Sequence, residues 1–278
     1  MSIFESTFHP LATAIVGENS QPGKQGRDLS LFSASGTIGL VIISLIFGWL
    51  VQLWGWRFSC LIIAFPGLLI GWGYSKVQEK KIELKRADIK SNFKSWFFIF
   101  FLSKGMLCLG TKVFTSFLQI YITSHIGVKP GISAFIISFY FLGLSMGSFL
   151  TSKIIDNKNP LLIAIFSIAS ISILIYILTC YKVLIAIIII VGAIGLMEGA
   201  CYPSHNTWLN VKGSNHNRGS LFGFGLFIEG VSATVSPTLY GWIADTFGLV
   251  ITYRLMILPI LISLLLNLLL FQIDKNYM

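Results

Sequence analysis

The chain has 278 residues, 55% of them hydrophobic and only 11% charged, with a mean hydropathy of +0.80 and a net charge of +9. Soluble domains carry about 25% charged residues and cannot hide this much apolar surface in one core, so most of the chain has lipid as its solvent. Backbone polar groups in a bilayer must be satisfied internally, which leaves helices or closed barrels, and long continuous apolar runs select helices. The expected class is an all-α polytopic membrane protein.

Residues 1–16 form a stub with Glu5 and His9. At 1.5 Å per residue such a stub reaches about 24 Å, short of the roughly 30 Å hydrocarbon core. Eight apolar stretches follow, over 29–52, 57–75, 96–124, 131–152, 161–180, 183–203, 219–243 and 251–273. Between the second and third lies the longest polar stretch, 76–95, where Lys76, Lys80, Lys81, Lys85, Arg86, Lys90 and Lys94 stand among Glu79, Glu83 and Asp88. A basic loop between membrane helices is a topology signal and not a nucleic-acid site, so no nucleic-acid partner is expected.

Assigning loops to alternate sides gives one side Lys24, Arg27, the seven bases of the 76–95 stretch, Lys153, Lys158, Lys212, Arg218 and Lys275. The other side receives only Arg57, Lys129, Lys182 and Arg254. This bias puts the 76–95 linker and the C-terminus in the cytoplasm of a cell-membrane protein. Cys60, Cys108, Cys180 and Cys201 are scattered through apolar segments and read as small buried hydrophobes without metal spacing. His205 and His216 fall after the sixth apolar stretch and read as loop residues. No nucleotide-binding loop and no metal or nucleophile spacing is present, so no cofactor and no enzymatic activity is expected.

The chain also repeats itself. Phe4 to Pro10 aligns with Met197 to Pro203, so Glu5 falls on Glu198 and Pro10 on Pro203; Gly48-Trp49 falls on Gly241-Trp242 and Gly55 on Gly248 at the same offset. Ser30-Leu31-Phe32 matches Ser220-Leu221-Phe222 with a slip of three in the preceding polar loop. A long repeat of membrane type points to a transporter built from two related halves, with the 76–95 linker between them.

Acid, Pro, a polar loop with Gly26-Arg27 or Arg218-Gly219, and a Gly-rich helix ending in Gly-Trp resembles the fourth-to-fifth and tenth-to-eleventh helix regions of the major facilitator superfamily. Gly55-Trp56-Arg57 is similar to that family's opening of helix six. Gly147 to Asp156 resembles the second copy of its loop signature between helices eight and nine, with Ser152 and Asn157 replacing the usual Gly and Arg. Phe8-His9-Pro10 with Arg27 and Ser30 is similar to fosmidomycin-resistance-type efflux members. The resemblance implies a bundle of two pseudo-symmetric halves, the first incomplete. Residues 1–75 are then the end of helix four with helices five and six, 76–95 the cytoplasmic linker, 96–273 a six-helix half and 274–278 a cytoplasmic tail. It further implies that helices one to three are absent from this chain and are supplied by a longer chain or another subunit if the protein is active. On this expectation the DNA upstream of the Met1 codon encodes about three more apolar segments.

Charges at bilayer depth cost several kcal/mol and mark candidate sites. Glu198 reads as a protonatable group that carries a proton or binds a cationic substrate, or else as a structural acid paired with a base; Glu5 is its symmetry mate. Lys104 and Lys112, eight residues apart, lie about 80° apart around a helix and can share one polar side. They are candidates to clamp an anion or neutralise Glu198, with snorkelling as the alternative for Lys104. Glu229 either contacts substrate or pairs across helices. The resemblance places Glu5, both lysines and Glu198 on cavity-lining helices, and makes Asp156, Arg218 and Arg27 gating-loop candidates. Asp156, Asp245 and Arg254 otherwise read as helix-end groups. Gly36, Gly39, Gly223, Gly225 and Gly230 read as sites of close helix packing. The expected function is secondary active transport of a small solute by alternating access, with proton-coupled efflux and organic-anion transport both open. The alternative is a non-transporting remnant or assembly partner of such a transporter.

Overall fold

The structure is a computed structural model that describes residues 3–21, 23–74, 95–213 and 218–276. Among these residues it is helical throughout, without a strand. The helices are α1 (Ile3–Asn19), α2 (Gln25–Tyr74), α3 (Ser95–Ile120), α4 (Pro130–Ser152), α5 (Pro160–Leu178), α6 (Leu184–Lys212), α7 (Arg218–Phe247), α8 (Leu249–Leu255) and α9 (Ile257–Asn276), with a π-helical turn over Tyr121–His125 closing α3. Among the described residues eight stretches are long and apolar enough to cross a membrane: Gln25–Phe47, Leu53–Gly73, Trp96–His125, Gly131–Ser152, Pro160–Leu178, Leu184–Lys212, Gly219–Phe247 and Leu249–Lys275. They fall on the eight expected spans. The stub extends three residues further than its apolar pattern, to Asn19.

The two anchors of the repeat do the same work. Gly55 (φ 74°) and Gly248 (φ 84°) both sit in the left-handed region open to glycine, and each turns one span into the next. Gly55 divides α2 into its two spanning arms, while Gly248 precedes α8 at the end of α7. Local signals set other ends. Asn159 caps α5 by accepting from the Leu161 N–H at 2.9 Å, with Pro160 in the first turn, and Pro130 opens α4.

In lipid, helices gain little from hiding apolar side chains from one another, so close backbone contact carries more of the association. The tightest contact joins α4 to α6. A Cβ on Gly143 would meet the Gly192 carbonyl, one on Gly147 the Leu196 carbonyl, one on Gly195 the Tyr140 carbonyl and one on Gly199 the Leu144 carbonyl. Ser148 adds a hydrogen bond to the Gly199 carbonyl at 2.8 Å. Of the glycines expected at close packing, Gly225 faces Lys104 and Phe101, whereas a Cβ on Gly36, Gly39, Gly223 or Gly230 would meet nothing within 4 Å among the described residues. The outer core gathers around Tyr121 and Tyr253, stacked 4.4 Å apart, whose hydroxyls donate to the carbonyls of Leu178 and Phe114. Cys108 and Cys201 are buried as expected, whereas Cys60 and Cys180 are exposed, Cys60 on the second arm of α2 and Cys180 in the turn that follows α5.

Candidate functional site

Three helices bring the intramembrane charges together. On α3, Lys104, Cys108 and Lys112 recur every four residues and so form one column; on α6, Glu198, Tyr202 and Asn206 do the same. The helices run antiparallel, so Lys112 lies toward Glu198 while the Lys104 ammonium donates to Asn206 Oδ1 at 3.4 Å. Glu229 of α7 enters from the third side. Its carboxylate lies 2.9 Å from the Lys104 ammonium, and its backbone carbonyl accepts from the Cys108 thiol at 3.3 Å.

Lys104 is only 3% exposed, and its charge is turned inward to Glu229. That geometry is an ion pair across helices and not a snorkelling side chain. A buried pair of this kind offsets its desolvation cost by mutual attraction, and losing one partner strands the other. Lys112 is half-buried, and among the described residues its ammonium has neither an ion pair nor a hydrogen bond. Glu198, 3% exposed, accepts a 2.6 Å hydrogen bond from Tyr140 of α4, and the buried Thr111 hydroxyl lies beside the same carboxylate. The glycine contacts pack α4 closely against α6, the two helices that carry Tyr140 and Glu198.

Below this level a second polar cluster ties α3, α6 and α9. Asn267 Nδ2 donates to the Ser263 carbonyl at 2.9 Å and to Ser103 Oγ at 2.5 Å. That fixes the amide orientation and leaves Asn267 Oδ1 to accept from His205 Nε2 at 3.0 Å. His205 is thus a 1%-exposed helix residue packed edge-on to Phe100, which corrects its assignment to a loop. The polar run from Ser204 to Lys212 reads as a loop by composition, yet α6 continues through it because its side chains find partners on neighbouring helices. Lys212 ion-pairs with Asp274 of α9, and Asn210 Nδ2 donates to Gln25 Oε1 at 3.1 Å.

At this basic end of the bundle, Asp156 caps the start of α2 from across the molecule. Its Oδ1 accepts from the Gly26 N–H at 2.8 Å and its Oδ2 from the Arg27 N–H at 3.1 Å. Gly26 is required by the approach, since a Cβ there would lie 2.7 Å from Ile155 and 2.8 Å from Asp156 Oδ1. Arg27 places its backbone in this contact, and its exposed guanidinium lies 3.8 Å from Asp28. Glu5 lies in the first turn of α1 and Arg218 opens α7, but the side chains of both are outside the described residues. Arg254 ties α8 to α5 through Thr179 at 3.2 Å, in keeping with a helix-end group.

Sequence reasoning missed Tyr140, Tyr202, Asn206 and His205. Tyr202 and Asn206 stand four and eight residues past Glu198 and would have been found by continuing the helix. Tyr140 carries no such signal, because it meets Glu198 across 58 residues of chain. Among the described residues no group of three or more His, Cys, Asp or Glu is placed to hold a metal.

A bundle of apolar spans with repeated halves, and opposed charges on three of its helices, defines a multi-pass membrane protein of transporter architecture. The family model of the Major Facilitator Superfamily matches residues 1–107 and 100–277, and the chain belongs to that family. The cis,cis-muconate transport protein of Acinetobacter baylyi (strain ATCC 33305 / BD413 / ADP1) is 20% identical over 236 residues, which cover 78% of this chain and 57% of that protein. The chain thus matches little more than half the length of this relative. The crystal structure of a Major Facilitator Superfamily transporter, FucP, in the outward conformation superposes with a TM-score of 0.71 at 13% identity, covering 94% of this chain and 72% of that one. At that identity the likeness is one of fold.

Proposed function

We propose that the protein takes part in secondary active transport of a small organic anion by alternating access, coupled to protons. The observation that carries this reading is the pair of facing columns: the Lys112 ammonium, without an ion pair or hydrogen bond among the described residues, beside a buried acid, Glu198, on helices of a family built for transport. Lys112 supplies the charge for the anion. Glu198 supplies the proton site, held by Tyr140, and uptake of one proton with one anion leaves the net charge of the core unchanged. The muconate named for the relative is a dicarboxylate, so it supports an organic acid as the cargo in general and not the single charge read from these columns.

In this reading residues 1–75 belong to one half and 96–273 to the other, the 76–95 linker and residues 274–278 are cytoplasmic, and the protein resides in the cell membrane. The basic end is then the cytoplasmic end, closed by Asp156 on α2. The side of the seat facing away from α3, α6 and α7 is completed by further helices from a longer chain or another subunit. Open space ahead of Gly36, Gly39, Gly223 and Gly230, and the exposed apolar side chains along 53–73, support such an addition.

The test is uptake or efflux of labelled organic acids by the longest natural form of the protein in proteoliposomes. Glu198→Gln is expected to abolish acceleration by a proton gradient while leaving insertion intact, and Lys112→Ala to raise the half-saturating anion concentration at least about tenfold. If both variants transport as the wild type does, the charged columns are structural and the reading fails.

A further inference from the structure

If the transport reading above holds, the two ends of the seat decide which anion fits it. Lys104 and Lys112 are eight residues apart on α3, so their Cα atoms are separated by about 12 Å along the axis. The ends of that interval are not equivalent. At one end Lys112 is half-buried and its ammonium is unengaged among the described residues. At the other, the Lys104 charge is already met by Glu229 at 2.9 Å, and the same ammonium holds Asn206 by its Oδ1. With Oδ1 so engaged, the Asn206 amide keeps its Nδ2 donor, for which the described residues provide no partner. Between the ends, half-buried Tyr202 lies on the same column, opposite Cys108, with no described partner for its hydroxyl. A ligand lying along the columns meets the Lys112 ammonium beside Glu198, the proton site of the reading above, then neutral hydrogen-bonding groups, then the Lys104–Glu229 pair.

We propose that the seat between α3 and α6 selects a small monocarboxylate whose far end carries an uncharged hydrogen-bonding group, with Lys112 holding the carboxylate and Asn206 and Tyr202 reading the far end. A second carboxylate finds no unengaged cation there, only the already paired Lys104 and Glu229, and so gives up its hydration without a countercharge. Asn206 and Tyr202 are therefore specificity-determining residues. Glu229 sets the charge preference indirectly, by occupying Lys104.

The experiment is calorimetric binding of four six-carbon probes to the purified protein in detergent: 6-hydroxyhexanoate, hexanoate, adipate and hexylammonium. The wild type is expected to bind 6-hydroxyhexanoate most tightly, about tenfold better than adipate, and to leave hexylammonium unbound. Asn206→Leu brings 6-hydroxyhexanoate and hexanoate to within about twofold of each other, by removing the donor that tells them apart. Glu229→Gln frees Lys104 and raises affinity for adipate about tenfold relative to 6-hydroxyhexanoate. The wild-type ranking needs no variant, so a misfolded Glu229→Gln leaves the test in place. Adipate binding as tightly as 6-hydroxyhexanoate, or no carboxylate binding at all, overturns the proposal. A wild type that moves solutes across vesicles while failing this ranking leaves the transport reading standing and removes only the assignment of the anion.

Discussion

Removing the Asp156 side chain is expected to loosen the basic end of the bundle. Its two oxygens accept from the Gly26 and Arg27 N–H groups at 2.8 and 3.1 Å, and these donors have no helical carbonyl to turn to at the start of α2. Loss of a side chain that caps a helix start costs about 1–2 kcal/mol, and charge on the acceptor places this contact toward the upper end. The contact exists only while α2 and the α4–α5 turn are together, so its loss shifts the ratio of closed to open forms by roughly 5- to 30-fold. Thr207, 3% exposed and close to Gly26, is covered in the closed form and reports on it. In a background with exposed Cys60 and Cys180 replaced by serine, a Thr207→Cys reporter is expected to react with an impermeant thiol reagent about 5- to 30-fold faster when Asp156→Ala is added. Gly26→Ala should act in the same direction, by wedging the contact. Labelling that changes by less than about twofold in both variants would refute the idea that this contact holds the end closed.

Other outcomes follow from the packing and the charges. Gly147→Val drives a side chain at the Leu196 carbonyl and should lower the thermal midpoint in detergent, at a cost of about 1–3 kcal/mol or more, whereas Gly36→Ala, facing open space, should stay within about 0.5 kcal/mol. Lys104→Met or Glu229→Leu alone should each destabilise by about 3–5 kcal/mol and the double variant by much less; additive losses in a double-mutant cycle would deny the pair. A topology reporter after Asn92 or Met278 should read cytoplasm and one between Gly127 and Gly131 outside, and the reverse pattern would invert the proposed orientation.

The spans were legible because in lipid the apolar run itself specifies the element, and the repeat was legible because Gly55 and Gly248 answer the same backbone demand for positive φ. What escaped depended on tertiary phase. Gly143, Gly147, Gly195 and Gly199 look no different in sequence from Gly36 or Gly223, yet only the first four face a neighbouring backbone. The segment after Pro203 is polar enough to read as a loop, and its helical state rests on Asn267, Asp274 and Gln25, all far away in the chain. Lys104, Lys112, Glu198 and Glu229 were visible as charges in apolar runs. That Lys104 is committed to Glu229 while Lys112 is not could be read only from the geometry.

The central claim is that anion and proton cross together through the seat between α3 and α6. The most direct measurement is a paired flux in proteoliposomes carrying the longest natural form of the protein, with a trapped pH dye and a labelled organic monocarboxylate followed in the same vesicles. The account predicts that imposing the anion gradient moves protons in the same direction, and that Glu198→Gln removes the proton signal while Lys112→Gln removes both. Anion flux with no accompanying change in internal pH, or a proton signal that survives Glu198→Gln, would contradict it.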